Sequence, residues 1–263
     1  MDRCSYFIPD KALFGSFPTQ EEVDVLEKEG VRHFIDLTWH HESKIVPYRT
    51  RYKYIRYPIV DRATPKHWRS FAQLIVEICR VIRSLKDSEK VYIHCKGGHG
   101  RSGIVVASIL CYHYGISSEE ALRRTTEFHT ARPNMKEKHR KLGSPHRKWQ
   151  KDFVHKFFEP LNIGSGITEG FDISFPCSLK IGEKLYRSAE EAYREEKEIP
   201  LPRILLLKFQ QHPHLAQKLL RTCLRPLGMD MVGVWLREYR DDLFHEDFLK
   251  SLTPSTTASV GNV

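Results

Sequence analysis

A chain of 263 residues with 40% hydrophobic and 29% charged residues has the balance of a globular protein, not of a disordered or fibrous one, and has room for two modest domains. No apolar run approaches the ~20 residues needed to cross a bilayer, and the opening MDRCSYFIPDK lacks the basic-then-apolar layout of an export signal, so a cytoplasmic or nuclear protein is expected. The net charge of +9 is uneven: residues 1–160 carry 29 Lys and Arg against 19 Asp and Glu, the remainder 13 against 14, which predicts two units, the first facing an anionic substrate or partner.

The first half alternates strand-like and helix-like stretches, the pattern of an α/β fold with a central sheet flanked by helices. Residues 12–14 and 32–37 read as short strands, and between them Thr19-Gln20-Glu21-Glu22 is a capping box that opens a helix ending at Gly30. A third strand is expected over 52–57 and a buried fourth over 91–94. Thr64 and Pro65 are expected to cap the next helix, with proline at its first position. There Trp68, Phe71, Ile75, Ile78, Ile82 and Leu85 recur as one apolar stripe. Residues 101–114 are apolar nearly all round, which suits a helix in a domain interior, and Gly115 ends it. Ser117-Ser118-Glu119-Glu120 is a second capping box, and a last helix is expected over 145–158. The Gly- and Pro-rich run PLNIGSGITEG places a linker over 161–170. Residues 171–250 then read as a smaller, mostly helical domain with helices over 186–197 and 204–224, and 251–263 as a disordered tail.

Six cysteines, Cys4, Cys79, Cys95, Cys111, Cys177 and Cys223, form no CxxC pair, so reduced thiols are the expectation. Cys79 and Cys111 fall on apolar helix faces and read as core. Cys95 is different. In Val91-Tyr-Ile-His94-Cys95-Lys96-Gly97-Gly98-His99-Gly100-Arg101-Ser102-Gly103 a buried strand ends in cysteine, a glycine-rich turn follows, and an arginine opens a buried helix. The glycines let successive N–H groups converge on one point, and the helix N-terminus adds partial positive charge there. That field favours a thiolate at Cys95 and a doubly charged oxyanion beside it. Arg101 offers a planar fork for two phosphate oxygens, and Ser102 a hydroxyl for the departing thiolate. An acid for the leaving oxygen is available in Asp61, on an expected loop 34 residues before Cys95. The chemistry needs no metal and no cofactor. The same glycines satisfy the dinucleotide pattern GxGxxG, but no acidic residue follows at the end of a next strand.

His94-Cys95-x5-Arg101-Ser102 resembles the signature of the cysteine-dependent protein tyrosine phosphatase superfamily, and Pro58-x-x-Asp61 resembles the setting of that family's general acid. The resemblance spans roughly 5–158 and is to the compact dual-specificity branch. It implies a catalytic domain over 1–160, phosphorylated proteins as substrates, a loop-orienting role for His94 and a water-positioning role for Gln150. Lys96 and His99, with Gly97, Gly98 and Gly100, line the expected phosphate loop. Two basic residues there, His99 only partly charged at neutral pH, would also suit a phosphoinositide, and the basic first domain an RNA 5′-phosphate; a pseudo-enzyme that binds phosphate without turnover is the alternative of another class. In the second half, Ser188-x-Glu190 with Tyr193, Lys197 and the Lys208-Phe209 helix is similar to the NADAR family, although only ten residues separate Lys197 from Lys208. That similarity implies a catalytic carboxylate at Glu190 and an ADP-ribose-type ligand; a protein-binding or regulatory accessory module is the preferred reading.

Overall fold

The computed structural model describes residues 2–228 and 230–252. These form two compact units, one ending at Phe158 and the other beginning at Glu159.

In chain order the first unit contains β1 (Cys4–Ile8), β2 (Ala12–Ser16), α1 (Gln20–Lys28), β3 (Val31–Asp36), β4 (Lys53–Arg56), α2 (Trp68–Ser84), β5 (Lys90–Cys95), α3 (Arg101–Tyr114), α4 (Ser118–Thr130), α5 (Glu137–Leu142) and α6 (Lys148–Phe157). The strands make one mixed sheet in the order β1-β2-β5-β3-β4, parallel throughout except for β1 against β2. The expected α/β class is therefore the observed one. β5 lies at the centre, with Cys95 paired to Ser16 of β2 and His94 to Asp36 of β3. Its last residue thus opens onto the crevice beyond the carboxyl ends of the parallel strands, where open α/β sheets place ligands.

Thr19 closes both halves of its capping box on α1. That helix covers one face of the sheet through Leu13, Val23, Leu26, Val31, Phe34 and Tyr92. On α3, Ile104, Val105, Val106, Ala107, Ile109 and Leu110 are all buried, and the helix packs against α2, α4 and α6. Each large apolar side chain taken from water there contributes roughly 1.5–3 kcal/mol. Gly115, in the left-handed region at φ 64°, stops α3 as expected.

Several boundaries differ from the sequence reading. β1 has no counterpart in it. α2 starts at Trp68, with His67 rather than Thr64 at the cap and Pro65 outside the helix. α6 starts at Lys148, with Arg147 in extended backbone at its cap and His146 outside the helix, stacked on His99 and His139.

The second unit holds a 3-10 turn (Gly166–Thr168), a hairpin of β6 (Leu179–Ile181) and β7 (Lys184–Tyr186), then α7 (Ala189–Glu195), α8 (Leu201–Gln211), α9 (Pro213–Arg221) and α10 (Met231–Leu252). Tyr186, expected in a helix, ends a strand. The single helix expected over 204–224 is two, because Pro213 cannot continue α8 and instead opens α9. The run expected as a linker folds onto this unit: Leu161 and Ile163 pack against Phe171, Phe209, Leu215 and Leu236. Of the expected tail, residues 251 and 252 end α10, and 253–263 lie outside the described residues.

Candidate active site

The loop between β5 and α3 is shaped by what holds its carbonyls. Phe17 N–H donates to Lys96 O at 3.1 Å, Arg132 Nη1 to Gly98 O at 2.8 Å, and Ser144 Oγ to His99 O at 2.6 Å. In trans peptides the following N–H groups, of Gly97, His99 and Gly100, point away from those donors. Gly98 sits at φ 71°, and a Cβ there would meet the Gly15 backbone at 2.3 Å, so only glycine fits. A Cβ on Gly100 would press on the Gln150 amide at 2.8 Å.

Cys95 is buried, with its Sγ 3.6 Å from Ser102 Oγ. Arg101 is 2% exposed. Its Nη1 donates to Glu42 Oε2 at 2.6 Å and to Ile59 O at 3.0 Å; its Nη2 donates to Glu42 Oε1 at 2.7 Å and to Asp61 Oδ1 at 3.0 Å. Burial works against that charge, but the Glu42 bonds, Cys95 and Asp61 outweigh it and hold the guanidinium proton above its ordinary value. Glu42 shows the mirror image: burial favours the neutral acid, while Arg101 and the Trp39 N–H keep it ionised below the usual carboxylate range.

Asp61 is half-exposed on the turn before α2. α6 grips that turn, with Trp149 Nε1 donating to Arg62 O at 2.9 Å and Gln150 Nε2 to Ala63 O at 3.1 Å. Gln150 is fully buried, and its Oε1 accepts from Arg147 N. Its amide is thus engaged with protein backbone at both ends, beside Gly100.

His94, fully buried, hydrogen-bonds through Nε2 to the Tyr48 hydroxyl at 2.7 Å, and its Nδ1 lies 3.7 Å from Asp36 Oδ1. Burial pushes its pKa down to about 4 against the pull of Asp36, so the ring is neutral. Asp36 is itself held by Thr38 and Tyr54.

Two expected phosphate-loop cations are placed differently. Lys96 Nζ donates to Ser43 O at 2.7 Å, tying the loop to the β3–β4 connection. His99 turns towards His129 (Nδ1 to Nε2, 2.8 Å) and stacks on His139 and His146 at 4.3 and 4.6 Å between centroids. Burial, then the three other imidazoles, hold it down at about 2. His99 is therefore neutral and supplies no cation to a substrate. Glu190 lies exposed on the first turn of α7, and Lys208 is buried with Nζ on Asp172 O at 2.6 Å.

Glu42, Tyr48, Arg132, Ser144 and Trp149 escape a reading of the sequence. None stands in a motif: Glu42 and Tyr48 reach the site from the β3–β4 connection, and Arg132, Ser144 and Trp149 from beyond α3.

An oxyanion-shaped loop at the end of a central strand, closed by arginine and facing a carboxylate, defines a phosphatase of the dual-specificity and tyrosine phosphatase type. The family model described as "Tc-R-P: Polymorphic toxin system, DSP-PTPase phosphatase" matches residues 11–115. The chain is 34% identical over 271 aligned positions to "Putative tyrosine phosphatase 197R" of Invertebrate iridescent virus 6, covering 92% of this chain and 96% of that one. It is 37% identical over 167 positions to "Putative tyrosine phosphatase 067L" of Invertebrate iridescent virus 3, covering 63% and 70%. The solved structure of Tk-PTP in the active form aligns at 25% identity over 59% of this chain and 94% of that one, with a TM-score of 0.44. The chain belongs to the tyrosine phosphatase family.

Proposed function

We propose that the protein hydrolyses phosphate monoesters through a phospho-cysteine intermediate, with phosphotyrosine, phosphoserine and phosphothreonine in proteins as its substrates. The Cys95 thiolate attacks phosphorus, and the bond from phosphorus to the leaving oxygen breaks as Asp61, as the acid, protonates that oxygen. Water then attacks the phospho-cysteine, giving its proton to the Asp61 carboxylate. The S–P bond breaks, inorganic phosphate leaves, and Ser102 Oγ stabilises the restored thiolate. Arg101 holds the transferring oxygens by its Nε and Nη2 edge, since Glu42 already grips both Nη groups end-on.

The observation that carries this reading is Arg101 Nη2 on Asp61 Oδ1 at 3.0 Å. One side chain joins the acid loop to the anion loop, and Asp61 occupies the place a phosphate oxygen would take. Trp39, partly exposed, lies beside Glu42 and offers an aromatic rim to a peptide substrate.

A more highly charged substrate, a phosphoinositide or an RNA 5′-phosphate, is the second reading. It is favoured by a surface cavity of about 240 Å³ lined by Arg3, Lys96, Arg132 and Lys136 beside the loop. The second unit acts, in our reading, as an accessory module.

Cys95→Ser is expected to abolish turnover of an aryl phosphate while vanadate still binds. Turnover that persists in that variant would overturn the mechanism, and a wild type that binds phosphate without turnover would be a pseudo-enzyme. A panel of phosphopeptides, phosphoinositides and 5′-triphosphate RNA separates the substrate classes.

A further inference from the structure

Behind the phosphate loop, four histidines from four separate segments meet. They are His99 on the loop, His129 on α4, His139 on α5 and His146 just before α6. We infer that His99, His129 and His146 form a binding site for a transition-metal ion of the zinc class, packed against the outer side of the loop.

Geometry is the first support. One ring nitrogen from each of the three lies within 4.8 Å of the others. The edge of a zinc tetrahedron with Zn–N bonds of ~2.0–2.1 Å is ~3.3–3.4 Å, so small ring rotations close the set.

The second support is unmet hydrogen bonding. His129 Nδ1, His139 Nδ1 and His146 Nε2 are buried and have no hydrogen-bond partner. A buried polar atom left so costs free energy, and such orphans in a folded protein call for a ligand, an ion or water.

The third is charge. Arg132, Arg140, Arg147, Lys136, Lys138 and Lys151 surround the cluster and act on its rings. Their field penalises any cation that binds by charge alone. Only ions forming strong bonds to imidazole, such as Zn²⁺, Ni²⁺ or Cu²⁺, offset that penalty, whereas the oxygen-preferring Mg²⁺ and Ca²⁺ do not. An entry path exists, because His99 and His139 line the 240 Å³ surface cavity. The ion would tie the loop to α4 and to the turn before α6, adding to the bonds Ser144 already makes to His99 O and Thr126 Oγ1. It takes no step in phosphate hydrolysis.

The test is a titration of the full, reduced chain with Zn²⁺ against a chromophoric competitor. One equivalent is expected to bind the wild type, to bind Cys95→Ser equally, and to be lost in His129→Gln and His146→Gln. Mg²⁺ and Ca²⁺ are expected not to compete. No uptake by the wild type, undiminished uptake by both histidine variants, or loss in Cys95→Ser would overturn the assignment; the last would place zinc on the catalytic thiol instead. A second measurement needs no variant. Zn²⁺ should slow amide hydrogen exchange at residues 96–100 and 143–147 of the wild type, and unchanged exchange there overturns the site.

Discussion

Replacing Glu42 by Gln removes one charge from beneath Arg101 at almost constant volume. The native carboxylate accepts from both Nη groups at 2.6 and 2.7 Å, with side-chain exposures of 2% and 6% for Arg101 and Glu42, so solvent screens the pair little. In Gln one oxygen remains an acceptor, while the amide nitrogen faces a guanidinium donor. The loss is one charge-assisted bond, about 1.5–3 kcal/mol. If that energy holds Arg101 in its productive place, kcat/KM falls by about ten- to one-hundred-fold, at 1.36 kcal/mol per factor of ten. Steady-state hydrolysis of an aryl phosphate, read as separate kcat and KM, is the assay, with vanadate affinity as the companion. If Arg101 meets the oxyanion in both ground and transition states, as proposed, both kcat/KM and vanadate binding should weaken, and Glu42→Asp should recover part of each. A Glu42→Gln protein within about twofold of wild type on both measures would refute the positioning role. A lower melting temperature in that case would leave Glu42 a purely structural partner.

Asp61→Asn should slow alkyl phosphates, whose leaving groups need a proton, by ~10²–10⁴-fold while sparing activated aryl phosphates; an equal loss on both would point to another acid. His94 is neutral in the fold at about 4 and titrates near ~6.5 when unfolded. The unfolded chain therefore takes up the proton first as pH falls. Its contribution to stability is complete above ~6.5 and drains away towards about 4, at no more than ~1.4 kcal/mol per pH unit. Urea melts of wild type and His94→Asn across that window should converge as pH drops, and parallel curves would contradict the assignment. A chain ended after Phe158 should fold and keep its aryl phosphatase rate, since all the site residues lie before that point; insoluble or inactive protein would show that the two units share a core.

The segment 91–115 is legible in the sequence because its chemistry is consecutive. A buried strand, a cysteine, glycines, an arginine and an apolar helix stand in one line, and local geometry alone forces them together. What surrounds it is not consecutive. Glu42 and Tyr48 come from the long β3–β4 connection, Arg132 follows α4, and Trp149 bonds a residue 87 positions away. Nothing in those stretches marks them, because their partners are chosen by tertiary packing. His99 reads as a cation for substrate by its place in the loop, yet burial, and then three imidazoles distant in sequence, lower its pKa. In the second unit, β6 and β7 have three residues each. A period of two has no length there to declare itself, so Tyr186 reads as the start of a helix.

The grip of α6 on the acid loop also sets an order of assembly. The anion loop closes on groups up to Ser144, and the turn carrying Asp61 has its carbonyls at Arg62 and Ala63 bonded by Trp149 and Gln150. A chain emerging from the ribosome passes Asp61, Cys95 and Arg101 long before it supplies these two side chains. Until α6 docks, the acid loop lacks both of those bonds. The growing chain thus acquires the loop of Cys95 and Arg101 before the bonds that fix the turn carrying Asp61, and the last helix of the first unit, remote from the signature, is the part that completes the site.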